Sequence, residues 1–260
     1  MALREFLNDT ARAVGFLSRI PVPAHVFEGS DGRLSRTVRA FAAAGVVIAL
    51  PGAAVLAVML AAGAGPLLAA VCALTTQVLT IGALHEDALG DAADGFGGGR
   101  DREHALQIMK DSRVGSYGAV ALVLILGLRI AALSQLVTET SPLAAAACVI
   151  GVAALSRTLM VWHWSALPSA RTQGVAAAAG MPEKPALQTA LVSGTFLTVL
   201  FVLPATSLFT TIIALATAAL AAAVFTSLTR KKLQGHTGDT IGATQQICEA
   251  ATLIALAVSS

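Results

Sequence analysis

Six of the fifteen acidic residues in this 260-residue chain fall between His85 and Glu103. The run reads His85-Glu86-Asp87-Ala88-Leu89-Gly90-Asp91-Ala92-Ala93-Asp94-Gly95-Phe96. If it is helical, Asp87, Asp91 and Asp94 stand at i, i+4 and i+7 and share one face. Three carboxylates on one face repel one another unless a cation sits among them. Hard oxygen ligands of this kind suit Mg²⁺ or Mn²⁺, usually with water and substrate phosphate completing the shell. A solvated acidic helix end would show the same spacing, but a chain so sparing of acids elsewhere favours the metal site.

Two further clusters carry suitable chemistry. Gly97-Gly98-Gly99 follows the acidic run and is read as a loop, flexible enough to let backbone approach a ligand. An amphipathic stretch, Asp101–Met109, then leads into Lys110-Asp111-Ser112-Arg113-Val114-Gly115-Ser116-Tyr117-Gly118. Lys110 and Arg113 suit phosphate oxygens, the first as a point charge and the second through its planar fork. Asp111 would add a ligand or hold Arg113, and the same cations would also serve as plain membrane-flanking charge. The third cluster is Gly235-His236-Thr237-Gly238-Asp239-Thr240-Ile241-Gly242-Ala243. Here Gly235, Thr237 and Gly238 permit close approach of substrate, His236 offers a general base, and Asp239 a further metal ligand. Arg230-Lys231-Lys232 just before it reads as a topology anchor. Acids, cations and glycines together describe metal-assisted phosphoryl transfer. These residues do not name the substrates.

The elements that must hold these clusters are apolar helices. The chain is 56% hydrophobic and 12% charged, against about 25% charged in a soluble domain. Lipid therefore surrounds most of the fold, and we expect an all-α, polytopic bundle of six to seven transmembrane helices forming a single domain over residues 1–260. Ala40 to Leu84 contains no charged residue and is broken by Gly63-Ala64-Gly65-Pro66, so it reads as two spans of about 20 residues. Pro185–Thr229 repeats the design around Leu203-Pro204-Ala205-Thr206-Ser207. Spans at about Ser116–Val137 and Ser141–Trp162 lie between the hairpins, and a weaker last one at about Thr240–Val258 contains Glu249. Fifteen of the seventeen Lys and Arg residues fall in the N-terminal segment and in segments 85–115, 164–184 and 230–239. The positive-inside bias places these in the cytoplasm, with the N-terminus and the active-site segments 85–115 and 230–243. The two exceptions, Arg129 and Arg157, are expected to face the bundle interior. Ala and Gly dominate the spans and permit close helix approach.

The remaining composition excludes other classes. A net charge of +2, with no Lys/Arg run interleaved with aromatics, argues against nucleic acid. Cys72, Cys148 and Cys248 are far apart in apolar stretches and read as small packers. Charged residues near the start interrupt any cleavable leader.

On these motifs the chain resembles the cobalamin synthase family, the adenosylcobinamide-GDP ribazoletransferases or cobalamin 5′-phosphate synthases. The matching elements are Phe16-Leu17-Ser18-Arg19-Ile20-Pro21-Val22-Pro23, the run His85–Gly95, Lys110–Gly115 and Gly235–Ala243, in the family's order and over nearly the whole chain. The resemblance implies an Mg²⁺-dependent transferase of the bacterial inner membrane. Its substrates would be adenosylcobinamide-GDP and α-ribazole or its 5′-phosphate, with GMP leaving and adenosylcobalamin or its 5′-phosphate formed. Other enzymes of the pathway are candidate partners. It further implies Asp87, Asp91, Asp94 and Asp239 as metal ligands, and Lys110 and Arg113 on the pyrophosphate. His236 or a metal-bound carboxylate would be the base, and His85 a substrate contact or a structural cap. The family usually has Leu where Glu86 stands, often Ala at Gly90, and often an acid at Gln246. That last departure would remove a ligand unless Glu249 replaces it.

Two rivals remain to be weighed. A CDP-alcohol phosphotransferase also uses Asp-x-x-Asp-Gly, which Asp91–Gly95 satisfies, but Gly98-Gly99 stand where that family has Ala-Arg. A transporter would place its functional charges near mid-bilayer on broken helices. A catalytically silent scaffold would not need the carboxylates.

Overall fold

The computed structural model describes residues 2–28, 34–111 and 113–259, so Ser112 lies outside the described residues. The described residues build α1 (Ala2–Leu17), α2 (Phe41–Ala61), α3 (Pro66–Ile81), α4 (Leu84–Gly98), α5 (Arg102–Ile108) and α6 (Ser116–Glu139). They continue with α7 (Pro142–Ala166), α8 (Val175–Ala179), α9 (Lys184–Val202), α10 (Leu208–Leu233) and α11 (Gly238–Ser259). Six helices are long and apolar enough to cross a membrane: α2 with its leading turn, α6, α7, α9, α10 and α11. The expected all-α membrane bundle is present.

The weak span is not the last one. α11 passes by itself, whereas α3, with 16 residues, passes only together with α4. These two helices bend by 88°. Gly82 at φ 66° and Ala83 at φ 59° make that corner from two consecutive left-handed residues. The Arg19 side chain lies over Gly82, where a Cβ would collide with it, and Arg19 N–H donates to Thr80 O at 2.8 Å. Arg19, from the run Phe16–Pro23, thus locks the corner from which α4 departs.

α7 and α11 are the central helices, largely enclosed by the others, while α2, α6, α9 and α10 turn most of their surface outward. Close approach follows from small residues. A Cβ on Gly45 of α2 would strike Ala153 O of α7, and one on Gly194 of α9 would strike Thr158. With no hydrophobic force between helices in lipid, such contacts carry the packing.

α1 was not anticipated as an element. It lies against the turn Thr37–Ala40 and α2 through Glu5–Arg36 and Asp9–Arg39 ion pairs, both at 2.7 Å. Two of the charges near the start, Glu5 and Asp9, serve these pairs.

Candidate active site

α4 runs back along α6, so its first turn is level with the middle of that helix and its last turn with the start. Glu86 meets Arg129, while Asp94 meets Gly115 and Gly118. Asp94 is buried and accepts backbone N–H bonds from Gly115 at 2.7 Å and Gly118 at 2.8 Å. Those two donors belong to the unsatisfied amides at the start of α6, where negative charge is favoured. A Cβ at either glycine would collide with the carboxylate. Asp94, expected as a metal ligand, anchors the start of α6 with both oxygens.

Asp87 and Asp91 remain on the open face of α4, and Asp239 faces them from the first turn of α11. Burial, and then the charges of Asp87, Asp239 and Asp94, push the Asp91 carboxyl up to about 6. That mutual repulsion is what a divalent cation would relieve. Among the described residues, no three His, Cys, Asp or Glu side chains converge closely enough to hold an ion by themselves. Asp87, Asp91 and Asp239 do fit Mg²⁺ in its usual mode, with few carboxylates and with phosphate oxygens and water supplying the rest.

Two compartments lie on either side of the Arg171–Asp239 pair. The first is a cavity of about 360 Å³ walled by Phe16, Leu17, Phe41, Met160 and Trp164, with His85, Asp87 and Asp239 among its lining residues. The second is a recess of about 360 Å³ that includes Arg102, Lys110, Arg171 and Gln173. Arg171 joins them, because it lies 3.5 Å from Asp239 and also faces the second recess. Segment 164–184 was counted only for its topology, so Arg171 was missed as a site residue. Its signal was faint, a lone Arg beside Pro168-Ser169-Ala170.

The expected site residues divide accordingly. Lys110 lines the basic recess. Arg113 is 86% exposed and paired with Asp111 at 2.6 Å, which holds the Asp111 carboxyl at about 2. The structure therefore keeps Arg113 outside both compartments. His85 is fully buried, lines the cavity, and neither ring nitrogen has a partner among the described residues. His236 is buried behind Trp164 and Met181, and burial lowers it to about 4, a weak base near neutral pH. It does not line the cavity.

Around His236 the glycine-rich loop has a structural duty. Ala170 N–H donates to His236 O and His236 N–H to Pro168 O, each at 2.8 Å, and a Cβ on Gly235 would press on Pro168 O and Ala170. Gly235 is therefore a packing residue. Thr237 Oγ1 accepts from Thr240 N–H at 3.2 Å and donates to Asp239 at 3.2 Å, so it caps α11 and orients Asp239. Gly238 lines the cavity with open space about it. The glycines at 97–99 are also packing residues. Gly97 faces Tyr117 and Gly99 faces Ala105, so α4 remains helical through Gly98 instead of loosening into a loop.

A buried polar cluster lies below the cavity. Arg129 donates to Glu86 at 3.1 Å and to Gln246 at 2.7 Å, and it pairs with Glu249. Gln246 donates to Glu86 at 3.0 Å, Gln245 bonds Glu249, and Arg157 lies 3.9 Å from Glu249. Arg129 and Arg157 face the bundle interior as expected. Gln246 and Glu249 both belong to this cluster.

Comparison with known proteins identifies the family. Residues 9–257 match the family model described as Cobalamin-5-phosphate synthase. The chain is 52% identical over 259 residues, all of both chains, to a protein of Rhizobium johnstonii named adenosylcobinamide-GDP ribazoletransferase. Proteins of the same name from Sinorhizobium medicae and Azorhizobium caulinodans are 54% and 44% identical, over at least 96% of each chain. No solved structure matches. The chain belongs to the cobalamin-5-phosphate synthase family.

Proposed function

We propose that this protein is an adenosylcobinamide-GDP ribazoletransferase, joining adenosylcobinamide-GDP to α-ribazole or its 5′-phosphate with release of GMP. The observation that supports it best is the Arg171–Asp239 pair, which links a basic recess to an apolar cavity lined by residues of the acidic face. One compartment suits a nucleotide pyrophosphate and the other an apolar heterocycle.

Asp87, Asp91 and Asp239 would hold Mg²⁺, which when bound supplies neutralisation of pyrophosphate charge. Arg171 and Lys110 would hold the phosphate oxygens, Arg171 being positioned by Asp239. A carboxylate of the acidic face would take the proton from the ribose hydroxyl as its oxygen attacks the phosphorus on the corrinoid side. The bond to the GMP oxygen then breaks, and cations of the basic recess offset the charge developing there. The Lys and Arg distribution supports a cytoplasmic active site on the inner membrane.

The test is turnover by purified protein in liposomes with adenosylcobinamide-GDP, Mg²⁺ and α-ribazole, with and without its 5′-phosphate. Nucleotide-bearing corrinoid and stoichiometric GMP are expected, and both are lost in Asp91→Asn. Folded wild-type protein that forms no product would refute the assignment.

A further inference from the structure

The Arg171–Asp239 pair stands on a piece of backbone that neither residue holds by itself. Ser169 and His236 form a short parallel bridge, and Arg171 and Asp239 each follow one arm of it closely. Arg102, in the first turn of α5, grips both arms. Its Nε donates to the carbonyl of Leu233, the last residue of α10, and its Nη2 donates to the carbonyl of Ala170, each at 2.8 Å. Its Nη1 donates to Glu103 at 2.8 Å, so every nitrogen of the guanidinium has an acceptor within the protein. The grip is returned at the other end of α5, where Arg171 Nη2 donates to Leu106 O at 3.1 Å. Two arginines thus cross between the same two segments in opposite directions.

This arrangement has a consequence for the basic recess. Its two walls are α5 with Lys110 just beyond it, and the segment Ala170–Gln173 with Arg171. The separation of Lys110 from Arg171 is therefore set by how α5 is tied to the bridge. Lysine could not make that tie, because a compact ammonium has no flat fork to span carbonyls on two segments. We infer that Arg102 is a positioning residue: it fixes α5 to the Ser169–His236 bridge and so aligns Lys110 with the Arg171–Asp239 pair to receive the pyrophosphate of adenosylcobinamide-GDP. This rests on the ribazoletransferase reading and adds a residue that acts through its neighbours.

The test uses the full chain in nanodiscs. Arg102→Gln should raise KM for adenosylcobinamide-GDP by about tenfold, with kcat and KM for α-ribazole within about twofold of wild type. Arg102→Lys, which keeps the charge and loses the fork, should stay closer to Arg102→Gln than to wild type. In an Arg171→Ala background, Arg102→Gln should add less than about twofold, because residues that act through one another are not additive. Spin labels at positions 107 and 173, both exposed and on opposite walls of the recess, report the alignment without turnover. In a chain without the native cysteines they should give one narrow distance distribution, broadened by Arg102→Gln while helix content is unchanged. An unbroadened distribution would overturn the inference whatever the kinetics. So would full recovery by Arg102→Lys, an equal rise in KM for both substrates, or full additivity with Arg171→Ala, which would make Arg102 a substrate contact in its own right. If wild type turns over and any of these results appears, the positioning role alone falls. If wild type does not turn over, the reaction and the alignment for its substrate fall together.

Discussion

Burial first, and then the neighbouring charges of Asp87, Asp239 and Asp94, raise the affinity of the Asp91 carboxylate for a proton. Its carboxyl at about 6 lies above the ordinary 3.8. Between those two values the folded state binds the proton better than the unfolded state does. Metal-free protein should therefore gain stability as pH falls from 7 toward 5, and lose that share as pH rises through about 6. Asp91→Asn should remove this dependence and raise the melting temperature at pH 7.5 in chelator, while abolishing turnover. Thermal unfolding in mild detergent at several pH values checks both signs. The cations give a second contrast. Arg171 lies beside Asp239, whereas Arg113 points to solvent with Asp111. Arg171→Ala should raise KM for adenosylcobinamide-GDP at least about tenfold, as expected for loss of a charge-assisted contact, and Arg113→Ala should change it less than about twofold. Steady-state kinetics on the two variants decides between them. Residue type and local spacing made Asp87, Asp91 and Asp239 legible. They could not reveal Arg171, whose meaning comes from Asp239, 68 positions along the chain.

At the scale of elements, local periodicity carried the reading as far as it reaches. The face shared by Asp87 and Asp91 follows from helical geometry alone. The use of Asp94 depends on Gly115 and Gly118, which lie 21 and 24 residues away and meet it only because α4 folds back along α6. The buried cluster was hidden for the same reason. It holds four helices together: α4 through Glu86, α6 through Arg129, α7 through Arg157 and α11 through Gln246 and Glu249. Two Arg and two Glu balance, so the cluster is neutral when all four are ionised. Removing one member of such a buried set leaves charge uncompensated and costs about 3–5 kcal/mol. Glu86→Leu should destabilise by about that amount. Adding Gln246→Glu places a carboxylate back on Arg129 from the neighbouring helix and should recover most of the loss. Thermal melts of the single and double variants would show it. If the double variant is no more stable than Glu86→Leu, charge balance is not what holds α4 against α11.

At the scale of the molecule, charge asymmetry and the position of the site make one argument. The loops near Gly63, Thr138 and Pro204 contain no Lys or Arg, while the segments that meet at Asp239 contain most of them. The bias depends on α3 completing its crossing, and α3 with 16 residues is the short span. At about 1.5 Å per residue it covers roughly 24 Å, less than the typical hydrocarbon thickness of about 30 Å. Because the first turn of α4 stands level with the middle of α6, the polar start of α4 lies within the bilayer and α4 carries the chain on from where α3 stops. His85 and the cavity then lie below the headgroups, with the last turn of α4 and the basic recess nearer the surface. Both substrates would arrive from the cytoplasm. Single cysteines introduced at positions 64, 139 and 206 in a background without Cys72, Cys148 and Cys248 should react with an impermeant thiol reagent only from outside right-side-out vesicles. Cysteines at 100, 173 and 232 should react only after permeabilisation. Labelling of position 100 and position 64 from the same side would mean that α3 does not cross, and would move the acidic face to the wrong side of the membrane for a cytoplasmic nucleotide substrate.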